Sequence, residues 1–405
     1  MPATIEPGCP ALVDSDVLVV GAGPAGLMLA LELQHRGVSC LVVDKADHID
    51  TRTRAVMVHA HSLELLDELG VARRILAEGV AQKRIAFHLA DGRSFGIDFT
   101  ALDSRFPCYV NIDQPTFERV LTERFTGRGG RIVRDTRYVS HTETEDGGVL
   151  SSVRQGDLVR EVRSRFIAGC DGASSAVRIE LFGDEFPGVT LPFSYLLGEG
   201  RPRHELPGDE SAMYVSDTGV VSVLPLPRGR FRVAGPFGGT RRLTSVDRLS
   251  EKDYTAALDQ LGFTARLRLD PLDELAFYAV HQRVAPRLRY GRAFLLGDAA
   301  HLNAPAGGQA MNLGLDDAHD LAGRLAQVLG GTLDEAKVEQ LLEDYHTERH
   351  ARAHEVIAST DVNDLLTAMR TAADEADLAA ITQKLTTLAA VWSQLPALRA
   401  QETIS

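Results

Sequence analysis

The chain has 405 residues, too many for one ordinary domain, and 44% of them are hydrophobic, enough to bury a large core. A net charge of −13 argues against nucleic acid as the main partner and against a basic membrane-binding surface. Four scattered cysteines (Cys9, Cys40, Cys108, Cys170) with no CxxC pair argue against a metal site or a disulfide framework, and neither a signal-like start nor a membrane-length apolar run is found, so a cytoplasmic protein is expected.

Residues 16–46, DVLVVGAGPAGLMLALELQHRGVSCLVVDKA, form the first organised unit. DVLVV reads as a buried parallel strand, LMLALELQHRG as a helix stopped at Gly37, and VSCLVVD as a second buried strand. Between the first strand and the helix stands Gly21-x-Gly23-Pro24-Ala25-Gly26. Gly21 suits a tight turn, Gly23 lets a pyrophosphate approach the backbone, and Gly26 lets helix and strand pack closely. The helix start offers N–H groups and partial positive charge to the phosphates. Asp44 closes the second strand 18 residues after Gly26 and is followed by Lys45. That is near the spacing of about 20 expected of a carboxylate holding an adenosine ribose. Strand, glycines, helix, strand and acid in this order point to a bound dinucleotide.

An arginine-bearing loop, TRTRAVM, then runs into an amphipathic helix with Leu63, Leu66 and Leu69 on one side. KRIAFHLADGRSFGIDF reads as a hairpin turning at Asp91-Gly92. NIDQPTFERVLTERF reads as a helix opening near Gln114, and residues 131–170 alternate like antiparallel strands broken at residues 146–148. RFIAGCDGASSAVR repeats the order strand, Gly/Asp turn, helix. Residues 190–285 look β-rich, with turns at 217–219 and 227–230, and the chain after 316 is mostly helical. Just before that helical part lies GDAAHLNAPAGGQAMNLGLDDA (297–318), a stretch rich in Gly, Ala and Pro where a surface loop would be more polar.

Three motifs therefore stand in order: GAGPAG (21–26), GCDGASSAVR (169–178) and GDAAHLNAPAGGQAMNLGLDDA. From residue 15 to about residue 350 the set resembles the FAD-dependent aromatic hydroxylases, the single-component flavoprotein monooxygenases of the para-hydroxybenzoate hydroxylase type. FPCYVNIDQPTFERVL (106–121) is more similar to the branch that hydroxylates aromatic polyketides and related antibiotics. The resemblance implies an α/β fold, a Rossmann-like FAD-binding domain with a second β-sheet substrate domain. It implies that Asp298, with Gly297, binds the ribityl chain of FAD, and that Pro305, Gly307, Gly308, Met311 and Asn312 lie along the isoalloxazine ring. Small residues suit a flat ring pressed against backbone. The helix that follows aims its positive end at the ring edge, where reduced flavin is anionic. Arg52 and Arg54 match arginines that touch FAD phosphate and help the nicotinamide cofactor, Gln114 a glutamine that contacts the flavin cofactor, and Asp171 the DG motif tied to FAD and NADPH. His301, beside the loop, is read as a packing histidine.

FAD is expected to be non-covalent, because no His, Cys or Tyr sits in a flavin-linkage context. NADPH or NADH is expected as a transient electron donor, since no second GxGxxG offers it a domain. The flavin carries the oxygen chemistry, through a flavin hydroperoxide that attacks an electron-rich ring carbon. The substrate class implied is an aromatic, phenolic, polyketide-like molecule. Apolar runs such as GVVSVLPLP (219–227) favour a large hydrophobic one. Tyr195, Tyr214, Tyr278 and His281 lie in the β-rich segment expected to roof the pocket; Tyr214 and Pro305 are taken as substrate contacts, and no residue is assigned as the base. Epoxidation, Baeyer–Villiger insertion and a non-catalytic flavoprotein that sequesters a hydrophobic compound stay open. The FAD-binding domain is expected from residues 1–79, 106–185 and 285–405, with its C-terminal helices, and the substrate domain from 80–105 and 186–284. Two departures stand out: Asp44 where the family often has Glu, and Ala310 where the loop usually has a third glycine. Many polyketide hydroxylases carry a thioredoxin-like domain after this point; the end of this chain suggests one or two amphipathic helices instead, so the relatives' oligomeric state is not transferred.

Overall fold

Runs of Val, Ile and Leu bounded by glycine build the first sheet. The computed structural model describes residues 12–51, 57–204, 206, 208, 210–216, 219–237, 250–260, 262, 267–359, 368–369, 371–372 and 374–392. β1 (Leu12–Val20) pairs in parallel with β2 (Cys40–Val43) and with β11 (Leu158–Gly169). β8 (Arg131–Val133) extends the sheet beyond β2, and β18 (Ala293–Leu295) with β17 (Arg289–Tyr290) extends it beyond β11. β9 (Arg137–Glu143) and β10 (Val149–Gln155) add an antiparallel flap to β11. Val17, Leu18, Val19 and Val20 are buried without alternation, as expected of a parallel strand covered on both faces. α1 (Pro24–His35) is likewise apolar nearly all round and packs between β1, α4 (Gln114–Gly127) and α7 (Gln309–Leu329). α4 opens where the sequence suggests, with the Asp113 carboxylate accepting the Thr116 N–H at 2.9 Å.

The second sheet runs in the order β19-β16-β12-β15-β14-β13-β5-β6. Its strands are β5 (Arg84–Leu89), β6 (Ser94–Asp98), β12 (Gly188–Pro202), β13 (Ser211–Val215), β14 (Val220–Leu226), β15 (Arg230–Phe237), β16 (Leu269–Val284) and β19 (His301–Leu302). The β5–β6 hairpin turns at Asp91-Gly92, with Gly92 at φ +89°. Alternation gives the sheet two faces. On one, Leu196, Val221, Val223, Phe231 and Val233 pack under α6 (Glu251–Gln260) through Tyr254, Ala257 and Leu258. On the other, Ile85, Phe87, Phe95, Ile97 and Val215 meet Met57 and Tyr109. Met57 and Tyr109 come from a three-stranded sheet of β3 (Met57–Val58), β4 (Val80–Gln82) and β7 (Tyr109–Asn111), which bridges the two larger ones. Helices α2 (Ala60–Glu68), α3 (Ala72–Glu78), α5 (Ala176–Phe182), α8 (Glu335–Ser359) and α9 (Glu375–Trp392) complete the described residues.

Two features depart from the sequence expectation. α6 is a helix inside the stretch expected to be β-rich. α9 was expected beside the FAD-binding sheet; its Leu378, Ile381 and Leu385 instead cover Phe87, Phe95 and Ile97 of the second sheet, and Arg93 Nη2 donates to Ala372 O at 2.6 Å. The cause is apolar area: the β5–β6 hairpin carries large apolar side chains on one face, and α9 adds Leu378, Ile381 and Leu385 to the cluster they form. No helix among the described residues is long and apolar enough to cross a membrane.

Candidate active site

The three glycine-bearing motifs meet at the C-terminal ends of β1, β11 and β18. Gly21 has φ +109°, and a side chain there would put its Cβ 2.3 Å from Cys170 O, so the first motif touches the second through bare backbone. A Cβ on Gly26 would stand 1.9 Å from Gly21 O. Gly297 (φ +55°), Ala25 and Gly314 pack on one another, which brings the third motif onto the start of α1 and the flank of α7. Gly23 differs from the others: a Cβ there would meet nothing within 4 Å. It is also the N-cap of α1, with no side-chain cap and no acid in the first turn, so that helix start faces open space with its positive end bare. Asp44 lies beside it and accepts N–H bonds from Ala22 (2.5 Å) and Ala46 (2.8 Å); Lys45 is exposed.

Several residues expected at the cofactor also bond the framework. The Asp171 carboxylate bonds the Ser175 hydroxyl and the N–H of Ala176 (2.6 Å), capping α5, so it fixes the loop beside Gly21 rather than projecting from it. Gln114 Nε2 donates to Glu118 Oε1 at 2.7 Å along α4. Asn312 is buried: its oxygen accepts the His59 N–H (3.0 Å) and the Ser62 hydroxyl (2.8 Å), and its amino group donates to Met57 O (3.0 Å) and Gly308 O (2.7 Å). With its bonding capacity used, Asn312 ties the glycine loop to β3. Arg178, which sequence reasoning passed over, donates to Ala299 O (3.0 Å) and Ala173 O (2.7 Å) and so joins the second motif to the third. Arg52 and Arg54 lie outside the described residues.

The loop before α7 needs its glycines. Gly307 and Gly308 sit at φ +69° and +66°, and Gly308 is the N-cap of α7, again without a side-chain cap or an acid in the first turn. Pro305 opens the turn at φ −70°, and Met311 is half-buried in the first turn of α7. Ala310 is helical there, where alanine costs nothing. Asp298 is half-buried on the preceding turn of residues 297–299.

The second sheet stands opposite. Gly308 is 3.0 Å from Met57 at the Cβ position, and Met57 packs on the face bearing Phe87 and Val215. Further along that face are Met213, Ser222, Leu224, Pro236 and Tyr195, all half-buried, and Tyr278, 36% exposed. Tyr195 and Tyr278 are cross-strand partners with ring centroids 5.7 Å apart, and burial raises the Tyr195 phenol above its ordinary value. Tyr214 is a correction. Strand alternation puts it on the opposite face, in the core under α6 and stacked on His88 at 4.8 Å, so it does not line this side. His281 bonds Thr190 (2.9 Å) at the neighbouring edge. No cluster of metal-ligating side chains occurs among the described residues.

Residues 14–360 match the family model described as "FAD binding domain". The chain belongs to the FAD-dependent aromatic monooxygenases. It is 33% identical to the rifampicin monooxygenase of Streptomyces venezuelae over 359 residues, 85% of this chain and 70% of that protein. It is 32% identical to the 12-dehydrotetracycline 5-monooxygenase/anhydrotetracycline 6-monooxygenase of Streptomyces rimosus over 362 residues, 87% and 69% of the two chains. The solved anhydrotetracycline hydroxylase from Streptomyces rimosus superposes with a TM-score of 0.75 at 29% identity, over 95% of this chain and 76% of that one. The fold expected from the resemblance is thus the fold found.

As in any flavin monooxygenase, FAD must find room here, and the residues fit it. Two uncapped helix starts, at Gly23 and Gly308, suit the diphosphate and the anionic ring edge. Around the loop, the buried Asn303 Oδ1 and Gln309 Oε1 lack a partner among the described residues, as polar atoms beside a ligand do.

Proposed function

We propose that this monooxygenase hydroxylates an aromatic, phenolic, polyketide-like molecule, with non-covalent FAD, NADPH or NADH as a transient electron donor, and dioxygen. One observation carries the proposal: the glycine loop at the uncapped start of α7 packs on α1 through Gly297, Ala25 and Gly314 and on the second sheet through Met57. Gly21 to Gly26 and the α1 start would hold the diphosphate, Asp44 the adenosine ribose and Asp298 the ribityl hydroxyls. The loop at Pro305, Gly307 and Gly308 and the first turn of α7, with Met311, would lie against the ring. When bound, FAD supplies the redox and oxygen chemistry. The protein's own part is placement and electrostatics. The α7 start stabilises negative charge that develops in front of it. Met213, Leu224 and Pro236 exclude water, while Tyr195 and Tyr278 offer ring faces and hydroxyls that orient an aromatic substrate. Residues 12–79, 106–185 and 285–359 then form the cofactor unit; 80–105 and 186–284, joined by α9, form the substrate unit.

The test is NAD(P)H oxidation by the FAD-loaded protein with a panel of polyketide phenols under labelled dioxygen. One labelled oxygen should enter the product ring. Label between ring carbon and carbonyl would mean Baeyer–Villiger insertion, and ligand binding with no NAD(P)H consumption would mean sequestration. A second expected result concerns cofactor retention. Asp298→Ala removes a charged acceptor, and such bonds contribute roughly 1.5–3 kcal/mol. FAD affinity measured on the apoprotein should fall by about one to two orders of magnitude with the fold retained. Unchanged affinity would show that Asp298 does not face the ribityl chain.

A further inference from the structure

Asp317, wholly buried on α7, joins three separate elements through one carboxylate. Oδ2 accepts the Gly297 N–H at 3.1 Å and lies 2.7 Å from His301 Nε2. Oδ1 accepts from Arg349 Nε on α8 at 2.8 Å. Both ends of the Gly297–His301 segment therefore hang on one side chain, and Asp298 stands between them. Arg349 is itself held by Asp316 at 2.5 Å, and one turn earlier on α8 the Tyr345 hydroxyl donates to Leu295 O at 2.9 Å, so α8 grips the strand that leads into the turn. Burial pushes the Asp317 carboxyl up, but His301 and Arg349 outweigh it and hold the group below its ordinary value, so it accepts as an anion.

We propose that Asp317 is a positioning residue, with Arg349 as its counter-ion, that sets where Asp298 and the glycine loop stand relative to FAD. The proposal rests on the cofactor reading of Asp298. An anion is required by the bond count. An amide in its place has one acceptor oxygen and one donor group. His301 can change tautomer to meet the donor, and Arg349 can take the oxygen. The Gly297 N–H then faces an N–H, and the turn loses its anchor.

The test uses full-length apoprotein titrated with FAD. Asp317→Asn should raise the FAD dissociation constant about tenfold or more and change the visible circular dichroism of the bound flavin. Arg349→Lys keeps the charge but loses the two-pronged hold on Asp316 and Asp317; it should give a smaller rise, about threefold, and the same direction of spectral change. If Asp317→Asn does not fold, Arg349→Lys decides. A merely structural role predicts a lower apoprotein melting temperature with wild-type FAD affinity and spectrum in the variants that fold, and that result overturns the proposal. Asp298→Ala run alongside separates the two failures. If it loses FAD while the Asp317 and Arg349 variants do not, only the positioning role falls. If it binds FAD normally, the cofactor reading of the turn falls, and this proposal with it.

Discussion

Gly26→Ala is expected to destabilise the apoprotein strongly, whereas Gly23→Ala is expected to leave it folded and strip it of FAD. The two positions lie three residues apart in one motif, yet their surroundings are opposite. A Cβ on Gly26 would overlap the backbone oxygen of Gly21 at 1.9 Å, and backbone at the end of a buried strand cannot step aside as a side chain can. Overpacking of this kind costs about 3 kcal/mol or more. A Cβ on Gly23 would meet nothing within 4 Å, so the cost there is limited to changing an N-cap glycine, about 1 kcal/mol or less. The methyl would nevertheless occupy the surface that the diphosphate approaches in the proposed arrangement, and FAD affinity should fall by about two orders of magnitude. Scanning calorimetry of the two apoproteins and fluorescence titration with FAD separate the effects. Wild-type FAD affinity in Gly23→Ala would place the diphosphate elsewhere; a wild-type melting temperature in Gly26→Ala would refute the contact.

Local signals were legible. The turn, helix, strand and acid from Gly21 to Asp44 lie within one short stretch, and each glycine's role follows from what a backbone turn beside a helix requires. The Asp91-Gly92 hairpin and the helix opening at Gln114 are equally local. What stayed hidden depends on distance or on direction. α6 could not be separated from the strands around it, because EKDYTAALDQ is short and its apolar positions suit either period. Alternation reveals that Met213 and Tyr214 face opposite ways, but not which face confronts the glycine loop; that is set by Met57 and Tyr109, far away in sequence. Asn312 and Asp171 sit at motif positions associated with the cofactor, and only the contacts show their side chains spent on β3, α2 and α5. Asp317 has no role assigned to it from the sequence. Its partner Arg349 is 32 residues on, and no periodicity links them.

Stability is expected to fall as pH rises from about 4.5 to 7, and Glu118→Gln is expected to abolish most of that fall. Glu118 is buried on α4, and its carboxyl is pushed up from 4.5 to about 7. Burial is the main cause, and the charges of Asp44 and Asp50 act in the same direction; the hydrogen bond from Gln114 and the charge of Arg134 only partly oppose them. The folded state thus keeps a proton that the unfolded chain releases at lower pH. Below 4.5 both states hold it, and the folded protein has its full advantage. Between 4.5 and 7 the unfolded chain ionises first and the advantage shrinks; above 7 it is gone. A difference of this size corresponds to about 3 kcal/mol. Glutamine keeps the shape and the acceptor for Gln114 without a charge to bury, so the variant should be the more stable protein at pH 8 and about equal to wild type at pH 4.5. Denaturant unfolding across that range reads both. A wild-type curve that is flat between pH 5 and 7, or a Glu118→Gln variant less stable than wild type at pH 8, would show that the fold does not penalise the charged carboxylate and that its neighbours hold it.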